Sequence, residues 1–504
     1  MNHCHIGRCR AALIALLIAG LGPVPARAQL PTLGDGSELS SAAEKRLGDR
    51  IAREMFRDPD YIDDPVLAEY VRGIWQPLLD AARARGELTV ELDQRFAWQV
   101  LLGKDRIVNA FALPGGWLGL QLGLINVTTS RDEIASVLAH ELSHVTQRHI
   151  SRLQSEEKKS TPLLIGAMLL GVLAMSRNPQ AGNAMLTGGQ AVAMQGQLNF
   201  SRDMEREADR IGFGVLTQAG FQPQGFVTMF EKLQQASRIN DNGSFPYLRT
   251  HPLTSERMAD MQARQQLLPK GAPTPASVAL EHALMAARSK AVSAGPIDDI
   301  RALVREADMP PPGGTHQRRA AVWYAGSLAA SRVRDHARAE AYAQKLAAEV
   351  QGDAVGERLA RLLGAEVAVA AGQPARALSL VGEAGAGSSR PEVLLWAQAR
   401  TATGGGAEVA QRLQTWVATQ PRDATAWQLL ANAYASQGQS LRAIRAEAEA
   451  QVAQLDYSAA LDRFKAAQEL ARRGGAGADY IEASIIDTRT RQVESMLREQ
   501  SLER

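Results

Sequence analysis

Three residues in this chain have types and spacing suited to hydrolysis: His140, Glu141 and His144, in the order His-Glu-Leu-Ser-His. On a helix, positions i and i+4 share a face, so the two imidazoles project together one turn apart. Imidazoles placed this way can hold a zinc ion, and the adjoining carboxylate can take a proton from water. A hydrolytic zinc site needs three protein ligands and one open position. The extended motif H-E-x-x-H-x-x-G-x-x-H is excluded, because Gln147 stands at its glycine position and Ile150 at its last histidine. His149 falls on the wrong side of a continued helix and reads as a surface residue. The third ligand must come from elsewhere, and Glu205 in Glu205-Arg206-Glu207-Ala208-Asp209 is the best candidate. Glu205 and Asp209 are again i and i+4. One can bind the ion while the other holds a ligand imidazole through its second nitrogen. Glu207 points elsewhere on that helix and is the weaker candidate.

Elements that could position these groups are legible. Ser130-Arg131-Asp132-Glu133 has the form of a capping box and starts the first helix. Ile134, Leu138, Leu142 and Val145 recur at helical spacing and give it a buried stripe. Residues from about 38 to 270 mix helices with short strand-like runs. Beyond about 275 the chain is Ala-rich and helical, and Gly271-Ala272-Pro273-Thr274-Pro275 reads as the linker. Trp427, Leu430, Ala431, Tyr434, Gly438, Ala443 and Ala450, preceded by Pro421, follow the tetratricopeptide spacing. Trp396-Ala397 lies one unit earlier, and Ala365, Gly372 and Ala377 form a looser third unit. Asp456-Tyr457, Ala460, Phe464 and Ala467 read as the second helix of a terminal unit, and Asp479 to Glu499 as a polar capping helix. The fold class expected is mainly α (α+β): a zincin-type metalloprotease domain with a small sheet over residues 29–272, then an all-α tetratricopeptide-repeat domain over 276–504.

Residues 1–28 read as a cleaved signal peptide: Arg8 and Arg10, the apolar run Ala11 to Ala19, and the cleavage signal Ala26-Arg27-Ala28. Both cysteines, Cys4 and Cys9, lie in this segment, so the exported chain has no disulfide. Of the 56 basic residues, Arg8, Arg10 and Arg27 lie there too, which leaves 53 against 54 acidic ones. That balance gives no reason to expect nucleic-acid binding. From Thr161 to Phe200 only Arg177 is charged, and Met168, Met175, Met185, Met194 and Gly188-Gly189 stand among apolar residues. The stretch reads as a core helix, or as a mobile lid or a surface that touches lipid or unfolded client.

Taken in order, His140-Glu141-Leu142-Ser143-His144, Glu205-Arg206-Glu207-Ala208-Asp209, and Thr250-His251-Pro252 with Arg257 resemble the motif series of the M48 metallopeptidases. Asn109-Ala110-Phe111-Ala112-Leu113-Pro114-Gly115-Gly116 looks like that family's strand and turn beside the active site. The resemblance covers roughly residues 40 to 270. A signal peptide and a repeat tail make the whole similar to the periplasmic, BepA-type members. The resemblance implies one zinc ion, with Glu205 as third ligand beside His140 and His144, Glu141 as general base, and His251 close to the metal. Asp209 would orient a ligand. The substrate strand would lie along Asn109, Ala110, Phe111, Ala112 and Leu113 by strand addition.

His251 precedes Pro252, which forbids ordinary helix and fixes a turn. It could hold the enzyme off as a fourth, regulatory ligand, or donate to the oxyanion, with Arg257 as a second catalytic group nearby. The function expected is a periplasmic zinc endopeptidase in quality control and assembly of outer-membrane proteins. Its repeats would bind misassembled outer-membrane proteins or the β-barrel assembly machinery, with a peripheral membrane contact also open. The alternative is chiefly a chaperone or adaptor with latent protease activity.

Overall fold

The computed structural model describes residues 39–156, 202–239, 246–269, 271–310, 313–473 and 479–501. The expected signal peptide and the uncharged stretch 161–200 lie outside the described residues. Over the described residues the fold is mainly helical with one small sheet, as the sequence predicts. Among the described residues no helix is long and apolar enough to cross a membrane.

The first part runs α1 (Ser41–Arg57), β1 (Tyr61–Ile62), α2 (Pro65–Ala84), α3 (Val90–Arg95), β2 (Gln99–Gly103), β3 (Ala110–Leu113), β4 (Trp117–Gln121) and α4 (Leu122–Val127). Then come α5 (Arg131–Thr146), α6 (His149–Glu156), α7 (Arg202–Gln218), α8 (Gln224–Ile239), α9 (Tyr247–Thr250) and α10 (Ser255–Gln266). The sheet order is β1-β2-β4-β3, with β2 and β4 parallel and the outer pairs antiparallel. Among the described residues the strand expected beside the active site, β3, is therefore an edge strand. Phe111 faces Gly119 across the β3–β4 ladder, and a Cβ on Gly119 would lie 2.0 Å from the Phe111 ring, so only glycine lets that ring lie flat on the sheet.

Ser130 caps α5 as expected, but the return bond of a capping box falls one residue before the N-cap. Ser130 Oγ accepts from the Glu133 backbone N–H at 3.3 Å, and Glu133 accepts from the Thr129 N–H at 2.7 Å. Ile134, Leu138, Leu142 and Val145 are all buried. Lys232 of α8 closes on Glu133 at 2.6 Å and ties the two helices together.

Beyond residue 275 the chain is helical throughout its described length. Two helices, α11 (Ala276–Ser293) and α12 (Ile297–Asp308), lead into five consecutive pairs. These are α13 (His316–Arg332) with α14 (His336–Glu349), α15 (Ala354–Ala370) with α16 (Pro374–Val381), α17 (Arg390–Ala402) with α18 (Gly406–Thr419), α19 (Ala424–Ser436) with α20 (Ser440–Ala453), and α21 (Tyr457–Arg473) with α22 (Tyr480–Ser501). Leu430, Ala431, Tyr434, Ala443 and Ala450 are buried, and Gly438 takes a positive φ of 70° in the turn between α19 and α20. One detail differs from expectation. The segment from Tyr457 is the first helix of the last pair rather than a second helix, because α19 and α20 already complete a pair.

The linker at 271–275 does not divide the hydrophobic core. Leu280, Leu284, Met285 and Ala291 of α11 belong to the same cluster as Leu67, Ile74, Leu138 and Leu142. Polar contacts cross there too: Tyr70 Oη to His282 Nδ1 at 2.8 Å, and Ser289 Oγ to the Leu122 carbonyl at 2.9 Å. Separate clusters form under α17–α20 and under α20–α22.

Candidate metal centre

Helices α5 and α7 cross where Gly212 meets the backbone of Ala139 and His140; a Cβ on Gly212 would stand 3.1 Å from those atoms. Glu205, Asp209 and Gly212 are i, i+4 and i+7, so the face that makes this approach also carries both acids to the histidines. His140 Nε2 and His144 Nε2 stand 3.0 Å apart. Glu205 Oε1 is 3.4 Å from His144 Nε2, and Glu205 Oε2 is 3.6 Å from His140 Nε2. His251, just past the end of α9, brings its Nδ1 to 2.9 Å from Glu205 Oε1 and 3.3 Å from His140 Nε2. One ligand atom from each of His140, His144, Glu205 and His251 lies within 4.8 Å of the others, and all four residues are buried.

These separations can be tested against zinc. A tetrahedron with metal–ligand distances of about 2.0–2.1 Å has edges of about 3.3 Å. The five separations above run from 2.9 to 3.6 Å. The donor set, three imidazoles and a carboxylate, is one zinc takes. Glu205 Oε2 is buried, with the Arg257 guanidinium beside it at 2.6 Å. The residues fit the ion.

Glu141 lies beside the cluster and is wholly buried. Its Oε2 accepts the Ala112 backbone N–H at 2.8 Å, and its Oε1 stands 3.4 Å from His251 Nε2. The Ala112 N–H thus points away from β4, and the free edge of β3 runs past the glutamate. Burial raises the Glu141 carboxyl, against a downward pull from His251 and His140. Burial would also raise Glu205, but His251, His144 and His140 outweigh it and hold that carboxyl well below the usual range.

Asp209 Oδ1 stands 2.9 Å from His140 Nδ1, the nitrogen that faces away from the cluster. Arg257, placed in the first turn of α10, closes on Asp209 with Nε at 2.6 Å and Nη2 at 2.8 Å, while its Nη1 reaches the Pro252 carbonyl and Glu205 Oε2. Its fork is committed behind the ligands. That corrects the expectation of a catalytic group at the oxyanion, because the guanidinium is turned toward the acids that support the histidines. Tyr247 stacks on His251 at 4.6 Å between ring centroids and 29° between planes.

His149 corrects a second expectation. It is completely buried, not on the surface. The helix stops at Gln147, and Arg148 takes a φ of +53°, so the chain turns and α6 starts afresh at His149. Its Nδ1 lies 2.8 Å from His144 Nδ1, and its Nε2 lies 3.0 Å from Glu207 Oε2. Burial pushes its pKa down to about 4, so the ring is neutral. Glu207, which looked peripheral, also pairs with Arg152 at 2.8 Å. No sequence spacing flagged this pair, because the helix was read as continuing; the only signal was a histidine five residues past a ligand.

Residues 77–265 match the sequence profile of Peptidase family M48. Over 262 residues the chain is 39% identical to the beta-barrel assembly-enhancing protease of Escherichia coli, covering 50% of this chain and 52% of that protein. It is 37% identical over 245 residues to the protein of the same name from Yersinia pestis, covering 48% of each. It is also 36% identical over 161 residues to the mitochondrial metalloendopeptidase OMA1 of Arabidopsis thaliana, 32% of this chain and 30% of that one. The alignment spans about half the length of the first two relatives.

Proposed function

We propose that this chain, whose residues 77–265 form an M48 peptidase domain, is a zinc metalloendopeptidase. We read residues 29–272 as the protease module and 276–504 as a tetratricopeptide-type module that shares its core. The observation that carries the reading is the buried cluster of His140, His144, Glu205 and His251 with Glu141 bonded to the edge of β3. Zinc supplies the Lewis acid that polarises a peptide carbonyl and acidifies water. Glu141 is the base that takes the water's proton, on Oε1, while its Oε2 stays tied to the Ala112 N–H. A substrate strand adds to the free edge of Ala110–Leu113, where backbone groups give sequence-tolerant affinity. Asp209, clamped by Arg257, orients His140.

His251 acts as a latch in this reading. Its Nδ1 lies among the ligand atoms, in space that water and substrate need, and its Nε2 faces the general base. The names of the bacterial relatives point to outer-membrane β-barrel assembly as the setting. The chain is then an exported, periplasmic protease whose repeats hold misassembled outer-membrane proteins or their assembly machinery. The latch also keeps the alternative alive, a client-binding adaptor whose protease fires rarely. Glu141→Gln separates the two. Cleavage of an unfolded substrate should fall roughly 10²–10⁴-fold with zinc retained. Full cellular function in that variant would favour the adaptor. Undiminished cleavage would remove Glu141 from the mechanism.

A further inference from the structure

The two ligand histidines are supported differently. The outer nitrogen of His140 faces a carboxylate directly, Asp209, which Arg257 neutralises. The outer nitrogen of His144 faces another imidazole. If His144 Nε2 ligates the ion, its Nδ1 must carry the ring proton, since a neutral imidazole has one N–H and one lone pair. At 2.8 Å that N–H needs an acceptor, and the atom opposite is His149 Nδ1. His149 Nδ1 must then be unprotonated, which puts its proton on Nε2. At 3.0 Å from Nε2 stands Glu207 Oε2, an acceptor. One assignment of protons satisfies both contacts: His144 Nδ1–H donates to His149 Nδ1, and His149 Nε2–H donates to Glu207, which Arg152 holds at 2.8 Å.

We propose that His149 and Glu207 are positioning residues that fix His144 in its ligating tautomer and ring orientation. The inference rests on the zinc reading above. The relay starts on α6 and ends on α7, so the grip on the ion depends on how those two helices meet. Arg148 makes the relay possible. Its left-handed backbone is held by contacts of its side chain with the Leu39 carbonyl, Ser151 and, at 3.1 Å, Glu44. Without that turn the residue after it would project from the far side of a continuing helix. His140 has a charged support and His144 a neutral one backed by a charge, with Glu207 and Arg152 reaching the solvent edge at 30% and 39% side-chain exposure.

The test uses the purified full chain and zinc alone, titrated against a competing chelator. His149→Leu keeps the apolar bulk but removes the acceptor, and zinc affinity should fall about 10–100-fold. His149→Gln offers a carbonyl oxygen to the His144 N–H and should recover most of that loss. Glu207→Ala, at the rim, should cost roughly three- to tenfold. Thermal melting of the zinc-free proteins separates local from global damage; the zinc-free variants should melt close to the parent. Parental zinc affinity in His149→Leu would overturn the relay, as would equal losses in the Leu and Gln variants. If the parent itself binds no zinc, or His144→Ala still binds it, the zinc reading fails instead.

Discussion

Two buried charge clusters in this molecule solve the same problem in different ways. In one, Arg288 of α11 is 4% exposed and lies 2.8 Å from both oxygens of Asp64, 2.8 Å from Glu366 and 3.2 Å from the Tyr324 hydroxyl. Asp64 also caps α2, accepting from the backbone of Val66 and Leu67. Glu366 is 35% exposed and keeps water on its far side. Protein groups and water complete that cluster. In the other, Glu141, Glu205 and Asp209 are buried with Arg257 as the guanidinium among them, and the imidazoles carry no charge when they ligate. Three carboxylates against one guanidinium leave a formal charge of minus two, which one divalent ion cancels. Buried charge must be paired or must bind metal. The Arg288 cluster is a structural pin, and the histidine cluster is complete only with its ion.

The largest expected effect breaks that contrast from the metal side. His140→Ala, His144→Ala and Glu205→Ala should each remove most zinc and with it all cleavage, because His251, which must leave the ion to admit substrate, does not replace one of the three permanent ligands. Chelation of the parent should lower its thermal midpoint for the same reason. Elemental analysis decides it, and a Glu205→Ala protein with stoichiometric zinc would show the third ligand to be misassigned. Next in size is the pin. Arg288→Met strands Asp64 in the core, at a cost of about 3–5 kcal/mol in unfolding free energy. The folded fraction should still hold one zinc per chain. Since Arg288 joins α2 to α15 across the linker, a fragment beginning at residue 276 should expose Leu280, Leu284 and Met285 and aggregate. A soluble, monomeric fragment would make the two modules energetically separate.

His251→Ala sharpens the comparison further, since it removes a ligand atom without removing charge. As a latch, its loss should raise cleavage of an unfolded substrate roughly tenfold, for a site closed about nine-tenths of the time. As an oxyanion donor, its loss should lower cleavage about a hundredfold or more with zinc retained. The sign of the change chooses between the roles.

What was legible in the sequence divides along physical lines. The α5 helix, its cap and its ligand pair follow from local rules of periodicity and capping, so they could be read directly. Glu205 and Asp209 became candidates through i, i+4 spacing together with their position after the histidine helix and the family resemblance, and the linker of Gly and Pro was visible as composition. His149 was misread because helical geometry was extrapolated through Arg148, whose positive φ depends on Leu39, Glu44 and Ser151, all distant from the motif or beyond it. Arg257 was placed near the reaction because it follows His251 in sequence. Its direction was set by a bidentate match to Asp209 on another helix, which no single segment encodes. The shared core across 271–275 was hidden for the same reason, because a turn-rich linker marks a change in chain character and carries no information on which faces pack.

The smallest expected effect lies at Gly212, where the closeness of α5 and α7 can be varied without touching a ligand. Alanine is the better helix former there by about 0.5–1 kcal/mol. Its Cβ would meet the Ala139 carbonyl carbon and oxygen and the His140 nitrogen at 3.1 Å, tight contacts with backbone that cannot rotate away. The helices must part by a few tenths of an ångström, and Glu205 and Asp209 move with the face that carries Gly212. The two terms nearly cancel in fold stability, so the melting temperature of zinc-free Gly212→Ala should stay close to the parent's. They do not cancel at the metal, where a carboxylate displaced by that distance loses ligand geometry, and zinc affinity should fall several-fold, short of the roughly 10–100-fold that loss of a supporting residue costs. Gly212→Val enlarges the wedge and should weaken zinc further, while the Arg288 pin keeps the rest of the fold in place. A Gly212→Ala protein that gained stability at unchanged zinc affinity would show that the helix crossing does not set the ligand distances. The positions of Glu205 and Asp209 would then depend on Arg257 and the histidines they face.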